Sequence, residues 1–380
     1  MMTTLMSGVS TSASGEIREY GIYTKKEIAD TRARLKNGAP AAQKAFDQFI
    51  HRVDSWCMPR LCHAAENFYI KWYYVSTQEH ITASKDLTHD AYAAFAAALA
   101  WQLTGEEKYA EKAKEFLNGW AEINTGGFST EEDTPLVAAY GGVGFIYAAE
   151  LLGEYEGWSE KEQAAFKNWV ATRYKPAVFT IVDNENNWAD WAVLACLATS
   201  HYLNDTAVVD ALIAKIPKLI DSQIDSEGRL PLEIKRGTNG MWYTYFCLAP
   251  LTQAAQFAYN LRGTNYFNYT APSGGSIEKA LDNFFGYVQD PDRWDADYKE
   301  EQYSGQRLNR PRPGNGAIAA PNWPLNLYKS MADIYGSRKR AFGEYAAEYE
   351  PMMGGWTERE AHHLAWCFPS LMPAPALVTK

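Results

Sequence analysis

Residues 86–105 read DLTHDAYAAFAAALAWQLTG, and residues 106–123 read EEKYAEKAKEFLNGWAEI. The first stretch is apolar on every side, rich in alanine and closed by Gly105, which predicts a buried helix ending there. The second sets Tyr109, Ala113, Phe116, Leu117 and Trp120 on one face and charges on the other, which predicts an amphipathic partner packed against it. The same couple recurs down the chain. TPLVAAYGGVGFIYAAELLGEY (134–155) precedes SEKEQAAFKNWVATRY (159–174), whose Ser159 and Glu162 have capping-box spacing. NNWADWAVLACLATSHYLN (186–204) precedes DTAVVDALIAKIPKLIDSQI (205–224). Further helices are expected over 241–262, 276–288, 323–335 and 357–368.

Residues 24–56 read as one or two polar helices, with Thr24 as N-cap and a break at Gly38-Ala39-Pro40. Strand signals are nearly absent, and no fixed period marks a short-motif solenoid. Hairpins of one apolar and one amphipathic helix, the apolar ones inside, point to an all-α chain folded as an (α/α) toroid, complete or incomplete. No linker divides it, so one domain is expected over 21–380 after a flexible leader, 1–20.

Composition narrows the function. Net charge is −10, which argues against nucleic acid, since phosphate binding needs a basic field. No run approaches the length of a membrane span, and no partner membrane is expected. Aromatics are in excess, with 13 Trp and 24 Tyr, as in clefts that stack sugar rings. Five cysteines show no CxxC or zinc spacing, so no metal or other cofactor is expected. Cys57 and Cys62 could pair, whereas Cys196 and Cys247 sit in helical patterns as small hydrophobes. The start, MMTTLMSGVSTSASGE, is not a secretory signal as it stands.

Three stretches carry chemistry. GRLPLEIKRGTNGMWYTYF (228–246) brings Glu233, Lys235 and Arg236 together, breaks at Gly237 and Gly240, and runs into an aromatic helix. Tyr243 falls in or near that helix's first turn, close to Arg236. A guanidinium and a helix N-terminus both favour a phenolate, which a tyrosine needs to act as base near neutrality. On this stretch alone, an aromatic core helix with a surface arginine is the favoured reading. Asn186 and Asn187 precede Trp188; a cap explains one asparagine but not two. CMPRLCHAAENFYIKWYYVSTQEH (57–80) gathers Tyr69, Trp72, Tyr73 and Tyr74 around Lys71. It reads either as a loop or lid, or as a strand-like aromatic segment sealing the core. GQRLNRPRPGNG (305–316) sets Arg307, Arg310 and Arg312 in a rigid loop, suited to spaced carboxylates or paired with nearby acids. His362 and His363 read as packing or capping residues.

NNWADWA resembles the Asn-Asn-His-x-x-Trp segment of the alginate lyase superfamily, poly(β-D-mannuronate) lyases with (α/α) toroid folds. LPLEIKR resembles that family's Leu-Pro-x-Glu-x-x-Arg stretch, with Tyr243 seven residues after Arg236. The resemblance covers about 86–262. It implies that Asn187 and Arg236 neutralise a uronate carboxylate and that Tyr243 is base and acid. The family's histidine falls on Trp188. Mannuronate and glucuronate carry H5 and O4 on one side, so one tyrosine serves both steps; guluronate wants a second group. The implied reaction is syn β-elimination on an anionic polysaccharide, mannuronate-rich alginate first and glucuronan second. Beside the residues carried over from the family, Trp188, Lys71, Trp72, Tyr73, Arg307 and Arg310 are the candidate substrate contacts, with His63 or a lid tyrosine able to stand in for the histidine. Other readings are a glycoside hydrolase using Glu233 and Asp190, or a saccharide binder without chemistry. A polymer substrate implies a secreted or periplasmic site of action.

Overall fold

The computed structural model describes residues 19–298, 324–347 and 363–378. Helix α1 (Lys25–Lys36) opens on Thr24, whose hydroxyl accepts from Glu27 N while the Glu27 carboxylate reaches back to Thr24. The expected N-cap is therefore half of a full capping box. Gly38 turns the chain at φ +66° and Pro40 starts α2 (Pro40–Arg52), where a missing N–H costs nothing.

Helix α3 (Thr77–Thr104) packs against α4 (Glu107–Ile123) and against α6 (Val143–Leu152). It starts at Thr77, whereas the sequence pattern marks it only from residue 86, because its first turns are polar and carry no apolar pattern. Every residue of α3 from Leu87 to Ala100 is buried, while α4 buries one stripe ending in Trp120. Helix α5 (Thr134–Val137) passes through a π-helical turn, Ala138–Gly142, into α6, all of it buried. Close approach explains the glycines there. A Cβ on Gly144 would lie 2.9 Å from the Ala91 carbonyl oxygen of α3, so any side chain would push the two helices apart.

Helix α7 (Glu160–Trp169) has the capping box that its sequence spacing predicts. After α8 (Lys175–Phe179) come α9 (Asn187–Tyr202), α10 (Thr206–Ile213) and α11 (Ile216–Gln223). The run 205–224 is thus two helices, since Pro217 cannot continue the ladder of α10. A short α12 (Pro231–Ile234) leads into α13 (Gly240–Arg262), then α14 (Ile277–Gln289), α15 (Asp292–Tyr298), α16 (Leu325–Tyr335) and α17 (Arg340–Ala346). The helix expected over 357–368 is not seen where it is described. Residues 363–368 form an irregular, buried segment, with Leu364 N donating to the Tyr140 carbonyl.

Helices α3, α6, α9 and α13 pack in succession as the inner layer, with α4, α7, α10, α11 and α14 outside. That is an (α/α) toroid. One contiguous apolar cluster runs from Tyr20 to Val378. Each large side chain taken wholly from water, such as Phe95 or Leu248, contributes about 1.5–3 kcal/mol. The span Thr134–Leu152 is long and apolar enough to cross a membrane by length and composition, contrary to the sequence reading, and 94% of that window is buried inside the protein. A pair of two-residue strands, β1 (Asn67–Phe68) and β2 (Gly127–Phe128), joins in parallel and anchors the segment that follows Phe68.

Candidate active site

The N-terminal ends of α9 and α13 lie side by side, and the loop through α12 crosses between them. Asn186 caps α9, its side chain accepting from Trp188 N. Asn187, the first helical residue, therefore has a backbone N–H with no partner inside the helix. Glu233 supplies one: its Oε1 accepts from Asn187 N at 2.9 Å. The Asn187 side-chain nitrogen lies 3.0 Å from both Glu233 carboxylate oxygens. Both residues are buried, at 1% and 2% exposure. This accounts for the second asparagine, which the sequence left without a structural reason.

Arg236 follows Glu233 by one turn, its N–H on the Glu233 carbonyl. Its guanidinium lies 3.9 Å from the centre of the Tyr243 ring, and its Nη2 donates to the Tyr74 hydroxyl at 3.3 Å. A guanidinium over a phenol face at that distance contributes about 0.5–2 kcal/mol. Tyr243 sits in the first turn of α13, as expected, and its hydroxyl is 2.7 Å from that of Tyr74. Burial pushes the Tyr243 phenol well above the ordinary tyrosine value, and Arg236 pulls it down. The expectation of a phenolate held low by Arg236 and the helix end is therefore corrected. With Tyr74 over it, desolvation outweighs both.

Tyr74 belongs to the aromatic segment that the sequence left open between lid and strand. Residues 69–76 are irregular, and Trp72 (44%) and Tyr74 (42%) are exposed, so they do not seal the core. Side chains of one short run hold its backbone: Trp72 N donates to Glu132, Tyr73 N to Asp133 and Ile70 N to Thr134. The Trp72 ring lies 6.0 Å from that of Trp188, which is half-buried at the start of α9. Tyr73 meets Tyr74 and His80 edge-on. Lys71 turns to Glu79 at 2.6 Å, so its charge is already paired.

The structure thus gathers Asn187, Arg236, Tyr243, Trp188, Trp72 and Tyr73, with Tyr74 and Glu233 added. Arg307, Arg310 and Arg312 lie outside the described residues. His63 does not join the group. Its ring and its backbone N–H meet Asp90, a fully buried carboxylate that also binds Arg60 and the Trp120 indole, and it lines a separate cavity of about 310 Å³ with Ser55, Trp56 and Arg60. Asp190 is buried one turn below Asn187, takes a hydrogen bond from the Cys247 thiol at 3.0 Å, and is pushed up to about 8, chiefly by burial. Glu233 and Asp190 are therefore internal groups. His363 is buried too, packed against Tyr245 at 2.9 Å. Cys57 and Cys62 are not bonded to each other. Among the described residues no trio of His, Cys, Asp or Glu is placed to hold a metal.

Sequence reasoning named the Glu233 and Tyr74 side chains but not their partners. The run Glu131-Glu132-Asp133-Thr134 gave one available signal, an acidic, hydroxyl-bearing turn before an apolar helix, with Glu132 at φ +53°.

A family profile described as alginate lyase matches residues 25–294. An alginate lyase of Pseudomonas syringae pv. syringae is 23% identical over 231 residues, 57% of this chain and 58% of that protein. A polysaccharide lyase of Stenotrophomonas maltophilia is 39% identical over 82 residues, 22% of this chain and 24% of that protein. The chain thus spans less than two thirds of the length of these curated relatives. Among solved structures, an alginate lyase from Bacteroides ovatus superposes with a TM-score of 0.67 at 18% identity, covering 91% of this chain and 98% of that one. A complex of alginate lyase A1-III with a tetrasaccharide gives 0.68 at 15% identity, covering 94% and 97%. At such identities the likeness speaks for the fold.

Proposed function

This chain belongs to the alginate lyase family, and we propose that it is a polysaccharide lyase cleaving a β-1,4-linked polyuronate, mannuronate-rich alginate first, by syn β-elimination. The observation that carries the reading is the stack of Arg236 on Tyr243 beneath Tyr74. In the proposed reaction Tyr243 oxygen takes H5 of the uronate. The C5–H electron pair moves toward the carboxylate, whose growing charge Arg236 stabilises; preorganised stabilisation of this kind usually supplies most of an enzyme's rate enhancement. The C4–O4 bond then breaks, a C4–C5 double bond forms, and O4 leaves with the proton from Tyr243. Tyr74 is placed to donate to the Tyr243 oxygen while it is anionic.

Trp188 supports the syn course. An indole has a donor N–H and no proton-accepting nitrogen, so the position that carries histidine in the family offers no second base here. Trp72 and Trp188 provide apolar faces for sugar rings, with Tyr73 beside them. Glucuronan, which differs at C2 from mannuronan, is the alternative substrate by the same mechanism. The hydrolase reading loses support, because Glu233 and Asp190 are buried and engaged rather than flanking an open space. We place the site of action outside the cytoplasm, secreted or periplasmic, where the polymer is.

The test is ultraviolet absorbance of the conjugated product with polymannuronate, polyguluronate and glucuronan offered separately, for the parent and Tyr243→Phe. A rise on polymannuronate that the variant loses is expected. A rise confined to polyguluronate would overturn the syn assignment. A flat trace on all three, with or without binding, would overturn the lyase.

A further inference from the structure

Glu233 and Asn187 meet through three hydrogen bonds whose polarity is fixed by charge. An ionised carboxylate only accepts, so the Asn187 carboxamide must turn its nitrogen toward it. Its oxygen then faces the other way. Among the described residues nothing donates to that buried Oδ1. In this orientation the end of Asn187 left without a partner is an acceptor, which a uronate carboxylate cannot use. One proton reverses the arrangement. With Glu233 protonated on Oε2, Oε1 still accepts from Asn187 N, Oε2–H donates to Oδ1 of a flipped carboxamide, and the side-chain nitrogen is released as a donor.

We infer that Glu233 is a positioning residue whose proton decides which end of Asn187 is presented, so that a uronate carboxylate arriving at Arg236 draws one proton onto Glu233. The inference rests on the polyuronate reading given above. The groups facing Glu233 fit it. Arg236 stands on its own loop, Asp190 on α9, and Tyr243 and Cys247 on α13. Burial keeps Asp190 protonated up to about 8 and lifts the tyrosine and the thiol well above their ordinary values, so at neutral pH all three are uncharged. Among these neighbours Arg236 is the one counter-ion. A substrate carboxylate that shares Arg236 weakens its hold on Glu233, and burial already raises the Glu233 carboxyl above its usual range. Proton uptake then restores neutrality, and the same proton turns Asn187 to donate.

The experiment is calorimetric binding of an unsaturated mannuronate tetrasaccharide to the Tyr243→Phe protein, which keeps the ligand uncleaved. It is run in buffers of different ionisation enthalpy and across pH. Uptake of close to one proton per site is expected above the Glu233 pKa, with Kd rising about tenfold per pH unit there, as one linked proton requires. Glu233→Gln in the same background copies the protonated state, since Oε1 accepts from Asn187 N and Nε2 donates to Oδ1. It should bind with no proton uptake and a pH-independent Kd, while Glu233→Asp, which still titrates, restores the pH dependence. Binding without proton uptake overturns the inference and leaves the substrate reading standing. Uptake that persists in Glu233→Gln assigns the proton to another group and also overturns it. Absence of binding overturns the polyuronate reading and the inference with it. If Glu233→Gln does not fold, as circular dichroism would show, Glu233→Asp decides in its place: a pH dependence displaced from that of the Tyr243→Phe protein is expected, and one left unchanged assigns the proton to another group and overturns the inference.

Discussion

Two sides of the candidate site are built in opposite ways. The wall made by α9, α12 and α13 sets Asn187, Glu233, Arg236 and Tyr243 on helix ends and a tight loop, with the pair Asn187–Glu233 almost wholly out of water. Facing it, residues 69–76 have no ladder of their own. Their backbone hangs on the side chains of Glu132, Asp133 and Thr134, and Tyr69, Trp72 and Tyr74 stand exposed. Groups that must hold a charge in one geometry benefit from a rigid, dry support, because electrostatic interactions strengthen there and need no reorganisation. Groups proposed to grip a polymer must let it in and out, and a segment without regular backbone pairing, held by a few side-chain hydrogen bonds, opens at low cost. Tyr74 and Tyr243 are where the two meet.

Substitutions on the wall should therefore remove turnover, and substitutions on the facing segment should tune it. Tyr243→Phe should have the largest effect, a loss of about 10³-fold or more in kcat, the upper part of the range for proton transfer by a positioned side chain. Thermal unfolding should show the fold intact, and a variant within tenfold of the parent would move the base elsewhere. Arg236→Lys comes next, at about 10²-fold in kcat/KM, since an ammonium lacks the planar fork and the stacking face. Its pH profile carries the sign. A base must be deprotonated, and Tyr243 is raised by burial and lowered by Arg236, so kcat at saturating substrate should climb with pH through neutrality into the alkaline range. Weakening Arg236 should move that climb to higher pH; a move to lower pH would contradict the assigned electrostatics.

On the facing side, Tyr74→Phe should lower kcat about tenfold, the equivalent of one hydrogen bond of about 1.4 kcal/mol. Glu132→Ala frees the Trp72 N–H and should raise KM a few-fold with kcat nearly unchanged, in line with loss of about 0.5–1.5 kcal/mol. Steady-state kinetics on polymannuronate separates the two. Equal losses in kcat from Glu132→Ala and Tyr243→Phe would erase the distinction between wall and lid.

Much of this architecture is written in local pattern. The α3–α4 hairpin, the caps at Thr24 and Ser159, and the start of α13 beside Gly240 depend on residues within a few turns of one another, where periodicity and capping speak directly. Local pattern misled where two signals overlapped. Residues 363–368 look helical by spacing, yet they lie irregular in the core, because their place is set by Tyr140 and Gln253 on other elements. Thr134–Leu152 escaped notice as a long apolar span because its glycines break the pattern while their absence of side chains lets it pack.

The sequence by itself determined the all-α hairpin plan and pointed to Asn187, Arg236 and Tyr243 as candidates for one site. The tertiary structure alone decided what those residues feel. Asn187 and Glu233 are 46 positions apart, and Tyr74 and Tyr243 are 169 apart. Helix propensity acts within a turn, whereas desolvation, hydrogen-bond polarity and the balance of burial against a guanidinium arise only when distant segments exclude water from a shared space.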